Sequence, residues 1–170
     1  MRALVRIVGD GVALSFFLEL LQAYGPDDHR SVEAKQQLVL CCFEKQSVMQ
    51  SHLASYAALA PFLSDHSDDV RLAVMQGLAA SKREGHLPLD VEVDVLRRLS
   101  EMLIAADMGP RVVRAAAETL LVWGGGGVAL PSFVSHLLLE QKAAWLVQDG
   151  YFLDKKNILR RHSKLSDNNP

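Results

Sequence analysis

The sequence predicts an all-α fold of stacked helical pairs, and three observations indicate it. Hydrophobic residues make up 49% of the 170 residues but aromatic residues only 6%, so Leu, Ala and Val carry the apolar content. That composition suits close-packed helices better than a β-sandwich, which uses more aromatic and β-branched residues. Apolar segments of helical length also alternate with short polar turns, and no segment alternates cleanly enough between apolar and polar residues to predict a strand.

Four helices are predicted in the first half of the chain, at residues 12–23, 31–43, 51–63 and 69–81. Gly25 and Pro26 end the first helix, because glycine favours a helix C-terminus and proline cannot continue a helix. Ser31 can cap the second helix. The polar run Ser-Asp-His-Ser-Asp, residues 64–68, is a turn between the third helix and the fourth.

Two further helices are predicted at residues 91–105 and 111–123, on either side of a turn at 107–110. Four consecutive glycines, residues 124–127, then predict a flexible link, and Pro131 predicts the start of a helix that runs to about residue 147. A helix is one interpretation of the short basic segment 154–164. Residues 1–150 are therefore predicted as a helical domain and residues 151–170 as a basic C-terminal segment or tail.

The turns and the helices that follow them repeat along the chain. Val70-Arg71 follows Asp65, and Val113-Arg114 follows Asp107. The two Val-Arg pairs stand 43 positions apart. A period near 40 residues is typical of stacked two-helix repeats, in which each pair buries its apolar face against its neighbours.

This pattern resembles the HEAT repeat family, close kin of the armadillo repeats. The family combines an apolar first helix, often with a proline, a turn aspartate, and Val-Arg at the start of an Ala- and Leu-rich second helix. The matching residues are Pro61, Asp65, Val70 and Arg71 in one copy and Asp107, Val113 and Arg114 in the next. An earlier copy has Glu33 in place of the arginine. The resemblance covers about residues 12–147 and implies an α-solenoid, a right-handed superhelix of about three to four repeats.

The residues themselves suggest how such repeats pack. Residues 69–81 are apolar around most of a helix, which predicts burial on most sides, and Gly77 allows a neighbouring helix to approach closely. Asp65 can accept backbone N–H groups in its turn, and Arg71 can reach a carboxylate of the same or the adjacent repeat.

The favoured function is non-catalytic: a scaffold or adaptor that binds a protein partner through polar side chains on the second helices. The candidate contacts are Lys35, Gln76, Arg111 and Glu118. A nucleic-acid-binding helical repeat stays open, and it requires a continuous basic surface joining Arg111, Arg114, Lys155, Arg160 and Arg161. A structural subunit of a larger complex also stays open, because the first helix lacks a clear polar outer face and residues 1–8 or another chain would have to cover it.

Catalysis and cofactors are not expected. The six histidines form no i, i+3 or i, i+4 pair, and there is no HExxH motif, no Cys-x-x-Cys motif and no His-Glu dipeptide of the kind repeated in di-iron HEAT hydroxylases. One or both of Cys41 and Cys42 are expected to be buried thiols of a reducing compartment, so the cytoplasm or the nucleus is expected. No apolar segment reaches the roughly 20 residues of a membrane-spanning helix, and no signal peptide is evident.

Arg160-Arg161-His162-Ser163 fits a basophilic kinase site on Ser163.

Overall fold

The structure is a computed structural model that describes residues 10–44, 53–84, 89–140 and 144–162. Over these ranges the chain is mostly helical, with eight α-helices and one small sheet. Six helices occupy the first three quarters of the chain: α1 (Asp10–Tyr24), α2 (Val32–Glu44), α3 (Leu53–Leu59), α4 (Asp68–Glu84), α5 (Leu89–Met102) and α6 (Pro110–Trp123). The last quarter contains β1 (Gly127–Ala129), α7 (Ser132–Glu140), α8 (Ala144–Gln148), β2 (Tyr151–Leu153) and β3 (Ile158–Arg161).

The six helices predicted in the first 123 residues are confirmed, with small differences at their ends. The third is split, because α3 stops at Leu59 and a 3-10 helix, Ala60–Ser64, follows with Pro61 in its first turn. Proline is accepted there since the first N–H groups of a helix have no intrahelical partner. Helix α5 ends before residue 105 because the chain tightens, with the N–H groups of Leu103 and Ile104 bonded three residues back.

The helices pack as three successive pairs. Helix α1 packs on α2, the 3-10 helix Ala60–Ser64 packs on α4, and α5 packs on α6. The second members also pack on one another, α2 on α4 and α4 on α6, while α3 contacts both α1 and α5. Val70 in α4 and Val113 in α6, the two residues that define the sequence repeat, are both buried in this shared core.

Helix α4 is in the middle and is buried along most of its length. Gly77 faces the ring of Phe43 from α2 so closely that an added Cβ would overlap the ring. The close helix–helix approach predicted at Gly77 is therefore confirmed.

The last quarter of the chain differs from the prediction. Strands β1, β3 and β2 form an antiparallel sheet in that order, with Val128 opposite Leu159 and Phe152 opposite Arg160, although no strand was predicted. The helix predicted from Pro131 to about residue 147 corresponds to α7 and α8, and residues 141–143 between them lie outside the described ranges. After α6 the described chain therefore combines two short helices with a small sheet.

The described part of the basic segment, residues 154–162, forms the turn and the second strand of a β-hairpin with β2 rather than a helix. Asp154 Oδ1 accepts the backbone N–H groups of Lys156 at 2.8 Å and Ile158 at 3.1 Å. Asn157 adopts φ 57°, a left-handed conformation that asparagine tolerates better than most residues. This local turn chemistry decides against the helix. The predicted domain boundary at residue 150 falls between strands of one sheet, since β1 lies before it and β2 and β3 after it.

The glycine run is a structured helix end rather than an open link. Gly124 N–H bonds to Leu120 O at 2.9 Å and Gly126 N–H to Leu121 O at 2.8 Å, and Gly127 already belongs to β1. Gly125 and Gly126 have φ values of 62° and 96°, which explains why glycine is needed there.

We predict that Gly77→Ala destabilises the protein by about 2 kcal/mol, because overpacking a core costs about 1–3 kcal/mol. Helix propensity alone predicts the opposite sign, a gain of about 1 kcal/mol. Urea unfolding followed by circular dichroism measures the change. Gln76→Ala, one position earlier on the exposed side of α4, is the matched control and should shift stability by less than about 0.5 kcal/mol. A more stable Gly77→Ala variant would contradict the packing described.

Candidate interaction surface

A buried ion pair joins the first two helical pairs. Lys35 Nζ of α2 lies 2.5 Å from Asp65 Oδ2 in the turn before α4, and both side chains are fully buried. The ammonium also donates to the backbone oxygens of Pro26 at 3.2 Å and Gly25 at 3.5 Å. Lys35 is therefore held in the interior between two turns, which departs from the prediction that it contacts a partner from the surface.

The second oxygen of Asp65 organises its own turn, as the sequence predicts. Asp65 Oδ1 accepts the backbone N–H of Ser67 at 2.9 Å and lies 3.3 Å from His66 Nδ1. The same nitrogen is 3.3 Å from Pro26 O, and the ring of His29 is 3.9 Å from the ring of His66 between centroids. Both histidines thus belong to the contact between the first turn and the second.

The turn before α4, residues 64–68, is connected in a similar way to the turn before α6, residues 107–110. These are called the second and the third turn. Arg71 is nearly buried and pairs with Asp68 of its own helix, which confirms the prediction that it reaches a carboxylate. Asp68 lies against Gly109 of the third turn, where an added Cβ would be 3.1 Å from Asp68 Oδ2. Arg111 Nη1 is 3.7 Å from Asp69 Oδ1 across the same junction. Asp107, the third turn's aspartate in the repeat pattern, is exposed.

A groove of about 200 Å³ runs between α4 and α6. Gln76 and Glu118, two of the predicted partner contacts, both line it. Small or apolar side chains complete the lining: Met75 and Ala79 from α4, and Ala115, Thr119 and Val122 from α6. Of the remaining two candidates, Arg111 is exposed at the start of α6, and Lys35 is the buried residue described above. Glu118 is the one ionisable side chain among the residues that line the groove.

The C-terminal sheet adjoins α6 beside this groove. Arg161 Nη1 of β3 lies 3.3 Å from Glu118 Oε1, and its guanidinium sits 5.2 Å from the centre of the Tyr151 ring. Arg114 of α6 pairs with Asp149 at 2.5 Å. Burial raises the pKa of Tyr151, and the negative charge of Glu118 acts in the same direction, while Arg161 opposes them.

The arginines proposed for a basic surface are all paired with carboxylates. Arg111 is near Asp69, Arg114 pairs with Asp149, and Arg161 pairs with Glu118, as given above. Arg160 Nε lies 3.0 Å from Asp154 Oδ2. Each positive charge is therefore balanced locally, which weakens the field that a phosphate backbone would experience.

The proposed kinase site lies in and beyond the central strand of the sheet. Arg160 and Arg161 belong to β3, which pairs with β1 on one side and β2 on the other. Ser163 itself lies outside the described residues, so its modification stays a prediction.

Three single side chains of interest complete the picture. Cys42 is buried, and this burial, with a smaller effect of Cys41, raises the pKa of its thiol to about 12. Trp123 is buried and its indole N–H donates to Leu78 O at 3.2 Å. Trp145 is half-buried against Tyr151 and lines a second, apolar pocket of about 250 Å³ with residues of the α5–α6 turn. Trp123 is therefore a core residue, whereas Trp145 is only partly buried.

Within the four described ranges, no three His, Cys, Asp or Glu side chains are grouped so that they could hold a metal ion. None of the described helices combines the length and the apolar character that crossing a membrane requires. Comparison with protein-family models, with curated protein sequences and with solved structures finds no match to this chain.

The β2–β3 hairpin has a signal in the sequence, whereas the contact between Arg161 and Glu118 has none. Two apolar segments, residues 151–153 and 158–159, flank Asp-Lys-Lys-Asn. That arrangement of turn residues between short apolar runs is a recognisable hairpin pattern. The contact with α6, however, joins residues 43 positions apart, and no local pattern reports it.

We predict that Lys35→Met lowers the free energy of unfolding by about 3 kcal/mol, because it leaves the buried carboxylate of Asp65 without its counter-charge. The double variant Lys35→Met/Asp65→Asn should recover at least about 1 kcal/mol of that loss, since asparagine keeps an acceptor for Ser67 without the charge. Urea denaturation of the two single variants and the double variant measures the coupling. A loss below about 0.5 kcal/mol for Lys35→Met would show that Lys35 is a surface residue.

We also predict that Cys42 resists thiol reagents in the folded protein. Cys41→Ser leaves Cys42 as the single thiol, and its raised pKa keeps it protonated at pH 8. Labelling by a chromogenic disulfide reagent should be at least about 100-fold slower in buffer than in 6 M guanidinium. Equal rates in the two solvents would place Cys42 at the surface.

Proposed function

We propose that this chain is a non-catalytic scaffold or adaptor of the HEAT/armadillo type, and that it binds a protein partner on the surface formed by α2, α4 and α6. The observation that carries the proposal is the groove between α4 and α6, where Gln76 and Glu118 stand beside small apolar side chains. Interfaces of this kind combine an apolar centre with a few polar groups that fix orientation.

Three features support a repeat architecture. The helices pack as successive pairs, and α2, α4 and α6 are packed side by side. Val70 and Val113 occupy corresponding positions near the starts of neighbouring helices and are buried in one core. Polar contacts also connect each turn with the next, through Lys35 and Asp65 and then through Asp69 and Arg111. The right-handed superhelix is part of the proposal.

A protein partner is favoured over nucleic acid by the local balance of charge. Four of the five residues required for a basic surface are arginines with a carboxylate within 4 Å, and the formal net charge is −2. Nucleic-acid binding draws most of its affinity from unbalanced positive charge facing phosphates. The proposal includes an intracellular location, in the cytoplasm or the nucleus, as expected from two adjacent cysteines of which Cys42 is buried.

A structural subunit of a larger complex is the second candidate, because large apolar side chains are exposed on the first described helix and on the last. Val12 and Phe16 of α1 are 61% and 45% exposed, and Val147 of α8 is 83% exposed. Side chains of this kind at the ends of a stack are typical of contacts with further repeats or subunits. Sedimentation velocity of the wild type and of Phe16→Ser tests this candidate. We expect the wild type to self-associate and the variant to self-associate less.

Site-specific photocrosslinking tests the scaffold function. We expect a photoreactive phenylalanine at Gln76, expressed in the native cell, to capture a protein partner. The same group at Val93, which is 57% exposed on α5, is the matched control. Ala115→Trp fills the groove and should reduce the capture at position 76 by at least about tenfold, the effect of losing about 1.4 kcal/mol. Equal capture from both positions, or capture that survives Ala115→Trp, would contradict a partner site in this groove.

A further inference from the structure

We infer that the α4–α6 groove selects a partner segment with a basic residue next to an aliphatic one, and that this basic residue pairs with Glu118, which Arg161 contacts in the free protein. Partner binding then competes with the Arg161–Glu118 contact of the C-terminal hairpin. The inference rests on the proposed function and adds to it the chemistry of the partner and the regulation of the site.

The composition of the groove sets the chemistry of its occupant. Among its lining residues, Glu118 carries a negative charge and no residue carries a positive one. Ala79, Ala115 and Val122 supply an apolar floor that fits an aliphatic side chain. The lining positions on α6 span residues 115 to 122, about 10 Å at 1.5 Å per residue. That length accommodates one aliphatic anchor and one neighbouring charged residue.

The structure already holds a guanidinium at Glu118. Arg161 of β3 lies 3.3 Å from this carboxylate, and its guanidinium sits 5.2 Å from the centre of the Tyr151 ring. Glu118 keeps 57% of its side chain exposed and Arg161 keeps 45%. An ion pair exposed to this degree contributes little to stability, because water and salt screen it. An incoming lysine or arginine can therefore take over Glu118 at small cost.

The geometry links the hairpin to the groove. Glu118 belongs to both, since it lines the groove and pairs with β3. Arg160, the preceding residue of the strand, instead pairs with Asp154 in the hairpin turn. The two arginines carry the same charge in the same strand but contact different carboxylates, so Arg160 is a matched control for Arg161.

Selection from a phage-displayed library of random 12-residue peptides on the immobilised full chain tests the inference. We expect peptides that depend on the groove, as judged by their loss on Ala115→Trp, to be enriched in Lys or Arg next to Leu, Ile or Met. The enrichment in basic residues should disappear on Glu118→Gln. Synthetic peptides from the wild-type selection should bind about two- to fivefold more tightly to Arg161→Gln, as expected from removing one exposed competing pair. Arg160→Gln should leave their affinity unchanged.

The outcomes separate the two proposals. Groove-dependent peptides without a basic preference, or a basic preference that survives Glu118→Gln, would overturn the inference and leave the scaffold function standing. Selection of no groove-dependent peptide would overturn both. An equal increase in peptide affinity for Arg161→Gln and Arg160→Gln would show that the loss of any nearby positive charge strengthens binding. It would overturn competition at Glu118. If Glu118→Gln does not fold, the salt dependence of peptide binding to the wild type decides. Affinity for the basic peptides should fall about fivefold or more between 50 and 500 mM NaCl, and a salt-independent affinity would overturn the inference.

Discussion

The packing of the first helical pair on the second depends on one buried ion pair, Lys35 with Asp65. Removing a lysine and an aspartate from water is costly, and attraction between them offsets the cost only with good geometry and further hydrogen bonds. Here the ammonium has two backbone carbonyls from the first turn, and the carboxylate has the Ser67 N–H from the second. Each charge is thus satisfied only while the two turns stay in contact. The pair therefore fixes how the first helical pair sits on the second.

Close contact between α2, α4 and α6 follows from small residues as much as from large ones. The Phe43 ring fits against α4 because residue 77 has no side chain. Between α4 and α6, Ala79 and Ala115 leave the groove open where larger side chains would fill it. Dense packing on one side of α4 and a groove on the other are then two results of the same distribution of small residues.

The C-terminal sheet adds a second kind of structure to the packed helical pairs. It attaches to α6 through Arg114 with Asp149 and through Glu118 with Arg161. These ion pairs are partly exposed, so they position the sheet more than they stabilise it. They also balance the charges that would otherwise form a basic surface. The segment that reads as a basic tail in the sequence thus contributes to the border of the candidate interface.

The sequence by itself determined the helices and the turns, because both depend on local chemistry. Periodic apolar residues, the glycine and prolines at helix ends, and the turn aspartate Asp65 act within a few positions of one another. The spacing of Val70 and Val113 likewise identified two positions of one core. Only the tertiary structure decided that Lys35 is buried, that Arg161 meets Glu118, and that residues 127–129 pair with 158–160. Each of these depends on a partner at least 29 positions away along the chain. The residues next to a lysine or a glycine run in the sequence do not indicate whether it will contact a distant residue or water.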